Sequence, residues 1–252
     1  MPGAPRRPDA ERLRLLDSIQ QRVLWLSTYL IHHANNLRAN PDGTKVGGHQ
    51  ASSASLVSIL TALYFDVLRP TDVVALKAHA APAFYAIQYL RGRIEATALE
   101  GLRTFGGLQA YPSRRKNPEI VDLSTGSMGL GAVAATFGGF ATRYLVDHGR
   151  AAQPERFVVM VGDAELDEGN VWEALLEEAV ATLGNVLWIV DLNRQSLDRV
   201  TPDARRRQFA GMFAANGWRV IELRWGHRLQ SLFGKPGGPG LRRRLESLPA
   251  TA

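Results

Sequence analysis

Asp163 and Asn193 are the residues whose types and spacing most directly suggest chemistry. Asp163 opens the segment after the apolar run FVVMV at 157–161, within GDAELDEGNVWEAL at 162–175. Asn193 follows the run NVLWIV at 185–190, within VDLNRQSLD at 190–198. The two are 30 residues apart, the span of one strand-helix-strand unit. If both runs are neighbouring parallel strands, the helix at 168–183 crosses between them, and both polar residues leave the carboxyl ends of adjacent strands. Open α/β sheets bind ligands at that edge. A carboxylate and an amide oxygen converging there suit a hard cation that also grips a diphosphate. Gly162-Asp163 alone would equally serve as a strand-to-helix cap, and it is Asn193 at the right spacing that favours a ligand site.

The elements that must position this pair follow from hydrophobic periodicity. Leu13, Leu16, Ile19, Val23, Leu26 and Leu30 fall on one helical face, predicting an amphipathic helix over 9–38. A loop rich in Gly, Asn and Asp occupies 40–50, followed by a helix at 52–65 and a short strand at 72–76. The next helix, at 80–90, has Pro82 in its first turn, where a missing N–H costs nothing. A long polar loop leads to the glycine-rich run STGSMGLG at 124–131 and a helix at 129–148. After the strand, helix and strand around Asp163 come a helix near 209–216 and a strand at 218–223. The alternation predicts an α/β fold with a doubly wound, mainly parallel sheet flanked by helices. One domain over 1–252 is the economical reading, ending in a flexible basic tail at 234–252 that contains a short helix.

The composition narrows the function classes. The chain has 252 residues, 45% of them hydrophobic, enough for a substantial core. There is no cysteine, which excludes disulfides, thiolate metal sites and cysteine nucleophiles. Cytoplasm is the default location. The apolar stretch VLWLSTYLI at 23–31 is too short to span a bilayer and lacks the flanks of a signal peptide, so no membrane role is expected. Net charge is +6 and the basic residues lie in short scattered clusters: Arg6 and Arg7, Arg114 to Lys116, Arg205 to Arg207, and Arg242 to Arg244. No nucleic-acid-binding motif surrounds them. A solvated surface with charged contacts to a partner protein is the expectation, with nucleic acid the minor alternative.

Both segments around Asp163 and Asn193 resemble the thiamine diphosphate motif of the transketolase and homodimeric pyruvate dehydrogenase family. GHQASSAS (48–55), LKAHAAPAFYA (76–86), YPS (111–113), STGSMGLG (124–131) and GWRVIELRWG (217–226) occur in the same order in that family, so the resemblance covers roughly 20–235. It implies that Mg2+ is held by Asp163, the side-chain oxygen of Asn193 and the backbone carbonyl of Gln195. Backbone amides around Gly162, Ala164 and Glu165 would contact the phosphates, while Ser127, Met128 and Gly129 would border the thiamine diphosphate, Met128 supporting its bent conformation. His49 and His79 match two histidines that handle protons near the reactive carbon, work suited to imidazole. Ser52 and Tyr111 are expected to contact phosphate or substrate. The remaining histidines, His32, His33, His148 and His227, match no motif and read as structural.

Two departures stand out. Ala164 occupies the position of the motif's usual third glycine, where a methyl group can crowd a phosphate. Lys77 stands where a neutral residue is more usual, and is expected to add positive charge near an anionic substrate. Beyond these, the family's second, pyrimidine-binding domain with its activating glutamate finds no counterpart in this sequence; Glu165 and Glu168 belong to the phosphate side. The expectation is therefore the diphosphate-binding subunit of a split enzyme, partnered by a pyrimidine-binding chain in an α2β2 assembly and transferring a two-carbon ketol or acyl unit from a ketose or 2-oxo acid. The alternatives are an N-terminal fragment of a longer pyruvate dehydrogenase-like protein and a non-catalytic scaffold that keeps the fold.

Overall fold

The computed structural model describes residues 9–192, 195–196, 199–200 and 203–247. Its centre is a parallel sheet in the order β1 (Val73–Ala75), β2 (Phe157–Gly162) and β3 (Val186–Asp191). Phe157 lies beside Val73 on one side and Val186 on the other, and Gly162 lies beside Asp191. Both crossovers carry helices, so every residue of β2 is buried, as expected of a strand covered on both faces.

The alternating side chains of β2 divide the core in two. Val158 and Met160 face a cluster built from α1 (Ala10–His32), α3 (Val57–Ala62) and α4 (Ala81–Leu90). Phe157, Val159 and Val161 face the other way, toward α6 (Leu130–Asp147), α7 (Gly169–Leu176) and α8 (Asp203–Ala215), which contribute Ala132, Ala135, Val171, Leu175, Phe209 and Phe213. This is the open parallel sheet flanked by helices that the periodicity predicts. Among the described residues, no helix is long and apolar enough to cross a membrane.

Helix α6 sits close to the sheet because it is small where it touches it. A Cβ added at Gly139 would stand 2.4 Å from Val186 Cγ2, and one at Gly138 would stand 2.6 Å from the Phe157 ring. Asn185 fastens the same contact, donating to the Gly139 carbonyl at 3.0 Å and the Glu155 carbonyl at 2.8 Å. Gly139→Ala should therefore destabilise the fold by about 1–3 kcal/mol, the usual cost of overpacking. Urea unfolding would measure this, and a change within error would contradict the packing described.

At the amino end of β1, buried Asp72 accepts from Arg156 Nε at 2.9 Å, just before β2. The hydrogen bonds from Arg156 hold the Asp72 carboxyl below its ordinary range. Asp122 accepts the Val74 N–H at 2.9 Å, occupying a β1 donor that pairs with no strand, and burial raises its proton affinity.

Four expected elements differ. The helix at 52–65 is divided into α2 (Gln50–Ala54), α3 and a π-turn at Leu63–Val67; around the break, Ser53 Oγ accepts the Ala83 N–H and Ser55 Oγ bonds Asp191. The helix at 168–183 ends at Leu176, because Glu177 turns extended and its carboxylate accepts the Ala179 N–H to open a separate short turn. Residues 218–223 form no strand, and Ile221 and Leu223 are 70% and 88% exposed. Their alternation is a local property, whereas a strand needs a paired edge, and none lies beside them among the described residues. Helix α8 is also longer than the predicted 209–216. The sequence signals missed α5 (Ala96–Glu100) and the two-residue strands β4 (Gln195–Ser196) and β5 (Arg199–Val200), which form an antiparallel pair. Helix α9 (His227–Phe233) precedes the basic tail, whose short helix is α10 (Gly238–Ser247).

Candidate functional site

Three turns leave the carboxyl edge of the sheet side by side. After β1 the chain passes through buried Lys77 into a short turn, Ala78–Ala80, that carries His79. After β2 it enters a one-turn 3-10 helix, Asp163–Asp167, whose first residue is only 3% exposed. β3 ends on Asp191, two residues before Asn193. The expected divergence of the Asp163 and Asn193 segments from adjacent parallel strands thus matches the register, Gly162 beside Asp191. Asn193 itself lies outside the described residues, and of Gln195 the description covers the backbone only, in β4.

Glu165 joins two of the glycine turns expected to border a phosphate. Its carboxylate accepts the Gly162 N–H at 2.9 Å and is also approached by the Gly129 N–H. Burial is the strongest influence and raises its proton affinity; the two amides and the charge of Lys77 oppose this, while Glu168 adds to it. One consequence alters the expected phosphate contacts: the Gly162 N–H is already engaged, which leaves Ala164 and Glu165 as the expected amides at the start of the turn. Ala164 is half-buried there.

Gly129 precedes α6 with φ +77°, a left-handed conformation that favours glycine. A Cβ at this position would stand 2.4 Å from Asn170 Oδ1, a buried oxygen with no partner among the described residues. Met128 beside it is exposed. Ser127 accepts the Leu130 N–H through its carbonyl at 3.3 Å, closing the turn.

On the other side of the edge, the His79 ring meets the Tyr111 ring edge-on, with centroids 5.6 Å apart. The Arg103 guanidinium lies 6.0 Å from the Tyr111 centroid and donates to the Val46 carbonyl at 2.7 Å. His49 caps the start of α2 from an extended conformation, exposed, and Ser52 is half-buried one turn on. The fold therefore brings His79, Tyr111 and Arg103 into one aromatic and basic group, with His49 near enough to influence His79 electrostatically. Partial desolvation, first, and then the charges of Lys77, Arg103 and His49 hold the His79 proton affinity below its ordinary value of 6.5. His79 should be neutral at pH 7, able to accept a proton. Because the folded form resists protonation, its contribution to stability is present above pH 6.5 and lost as pH falls through the folded pKa. NMR titration of the ring should give a midpoint below 6.5, and a midpoint at or above it would contradict this environment.

Lys77 does not offer free charge to an anionic substrate, contrary to the expectation. Its Nζ lies 2.8 Å from Asp191 Oδ2, and both residues are buried, 4% and 9% exposed. Ser55 Oγ donates to the same oxygen at 2.6 Å. The Lys77 stem runs beneath Gly162, where a Cβ would meet Cε at 3.1 Å. Lys77 thus links the carboxyl end of β1 to that of β3, its stem packed against the end of β2. Asp191 and Ser55 went unremarked in the sequence reading; the available signal was a carboxylate closing the apolar run at 185–190. Arg103 carried a signal only in three dimensions: a left-handed φ of +59°, unusual for a non-glycine residue.

Among the described residues there is no cluster of three or more His, Asp or Glu side chains that could hold a metal. A site built on one carboxylate, one amide oxygen and one backbone carbonyl would not form such a cluster.

Comparison with known proteins gives consistent results. The family model described as the transketolase thiamine diphosphate binding domain matches residues 48–233. The pyruvate dehydrogenase E1 component of Escherichia coli is 30% identical over 235 residues, covering 88% of this chain and 26% of that protein. The corresponding component of Pseudomonas aeruginosa is 31% identical over 244 residues, covering 91% and 27%. Transketolase from Leishmania mexicana is similar in fold, with TM-score 0.70, 21% identity, 94% of this chain covered and 35% of that one. The chain spans about a quarter of the length of these curated relatives.

Proposed function

The chain belongs to the family of the transketolase thiamine diphosphate binding domain, and from that premise we propose that it supplies the diphosphate-binding half of an enzyme that transfers a two-carbon ketol or acyl unit. The observation that carries the reading is Asp163: a carboxylate 3% exposed, at the carboxyl end of the central strand, in register with the strand that leads to Asn193.

The residues fit the family's cofactor. Asp163, with Asn193 and the Gln195 carbonyl, would hold Mg2+, and the amides of Ala164 and Glu165 would meet phosphate oxygens. Gly129 and the buried Asn170 Oδ1 beside it leave a polar margin that a side chain would fill. When bound, thiamine diphosphate supplies the nucleophilic carbon and the electron sink for the transferred unit. The chain's own task is to orient and to move protons: neutral His79, steadied by Tyr111, can accept a proton from a substrate hydroxyl, and His49 can return one. Ser52, one turn after His49, would contact phosphate or substrate.

We infer that a separate partner chain supplies the family's pyrimidine-binding domain, in an α2β2 assembly acting on a ketose or 2-oxo acid in the cytoplasm. Coverage of about a quarter of the curated relatives supports a second reading equally, that these residues are the N-terminal part of a longer polypeptide. The neighbouring open reading frame distinguishes them: a separate pyrimidine-binding protein supports the split enzyme, a continuous frame the longer chain. Turnover of pyruvate and of a ketose phosphate should require both halves. Full activity of this chain by itself would refute the proposal, and failure to bind thiamine diphosphate with magnesium when the other half is present would favour a scaffold that has lost the cofactor, with Ala164 as the cause.

A further inference from the structure

With Lys77 committed to Asp191, the positive charge open to a substrate lies on the far side of His49. A cleft of about 320 Å³ opens there, between the end of α1 and the 45–50 loop. That volume is at the small end of ligand pockets. His32, Asn35, Asn36, Lys45, His49 and Gln50 line it, and no carboxylate does. The widened π-turn His33–Leu37 at the end of α1 places Asn35 and Asn36 on its wall, and such turns recur at functional sites.

The two asparagines of the wall are held by internal hydrogen bonds. Asn35 is occupied at both ends, accepting the Gly47 N–H at 2.6 Å and donating to the Gly48 carbonyl at 3.2 Å. Asn36 Nδ2 lies 3.1 Å from His32 Nδ1 and 3.3 Å from the His32 carbonyl, so it donates to both. His32 Nδ1 is therefore an acceptor, and the ring's proton sits on Nε2. Lys45 is exposed and makes no ion pair among the described residues. Behind Gly48 stands Arg103, whose Nη2 lies 3.0 Å from where a Cβ on Gly48 would be, and whose Nε is buried without a partner among the described residues. The Lys45 ammonium and the His32 Nε2–H, in a cleft with no carboxylate in its lining, have the chemistry of an anion receptor.

We propose that this cleft is an anion subsite, which binds the carboxylate or phosphate of a small substrate through Lys45 and His32 and holds the rest of that molecule at His49. The assignment to substrate rests on the proposed function; the anion site itself does not. The test is therefore made on the full chain without cofactor. Inorganic phosphate and, separately, acetate are titrated into isotope-labelled protein at constant ionic strength, following the amides of Gly47, Gly48 and His49 and the ring of His32. Saturable shifts confined to these groups are expected, weakened about tenfold in Lys45→Gln, the loss of one charged hydrogen bond, and retained in Lys45→Arg. Tighter binding of phosphate or of acetate identifies the favoured anion. Absent shifts, or shifts unchanged in Lys45→Gln, would overturn the proposal. Neither result depends on thiamine diphosphate, whose binding is measured independently, so the two readings fail separately.

Discussion

Asp163→Asn is expected to lower the magnesium-dependent affinity for thiamine diphosphate by on the order of 100-fold or more, since it removes the one charged oxygen donor proposed for the metal. The amide has nearly the shape of the carboxylate, so the turn Asp163–Asp167 should form as before, and circular dichroism should be unchanged. Calorimetry with the pyrimidine-binding half present, with and without magnesium, reads the effect. Retention of wild-type affinity would remove Asp163 from the metal site. Ala164→Gly serves as the companion variant: if the methyl crowds a phosphate, affinity should rise several-fold, toward that of a motif with its third glycine restored.

The second large effect concerns stability. Lys77→Gln leaves Asp191 buried with Ser55 as its one remaining side-chain hydrogen-bond partner among the described residues. Removing one partner of a buried pair costs about 3–5 kcal/mol, because the other charge is left uncompensated. Asp191→Asn in the same chain should recover most of that, as two neutral amide side chains need far less hydration. A double-mutant cycle followed by urea unfolding gives the coupling directly. If the single variants lost less than about 1 kcal/mol, the pair would be no stronger than a surface contact, and its role in aligning the strand ends would fall with it.

The parts of the fold legible in the sequence were those determined by local pattern. The run at 157–161 is apolar throughout because β2 is covered on both faces, whereas β3 is only partly buried and Leu187 is exposed; both strands lie where expected within a residue or two. Helices α1, α4 and α6 were likewise carried by periodicity, by Pro82 and by the glycine run before Leu130. The errors arose where a distant partner decides the outcome. Val220, Ile221 and Leu223 have the composition of a strand, yet pairing needs a neighbouring edge that composition does not encode. Ser55 looked like a helix interior residue, but its hydroxyl serves Asp191, 136 positions away.

The candidate site divides in the same way. Asp163, His49 and His79 are proposed because each lies in a short motif. The Lys77 charge was visible, but not its partner 114 residues later, and so its meaning was reversed: it is a structural tie, and Lys45, an unremarkable loop lysine in the sequence, is the exposed cation beside His49.

The register of β1 has a consequence for how the chain reaches its fold. Asp72 and Arg156, which bracket the β1–β2 pairing, are 84 positions apart. During synthesis, the helices from Ala10 to Leu90 emerge long before the central strand they are to cover, and β1 must wait for its hydrogen-bonding neighbour. Non-local parallel pairing of this kind forms slowly. Refolding from urea should accordingly be limited by the arrival of β2, and a newly made chain has an extended interval in which the apolar faces of α1 and α4 are open to chaperones or to other copies of itself.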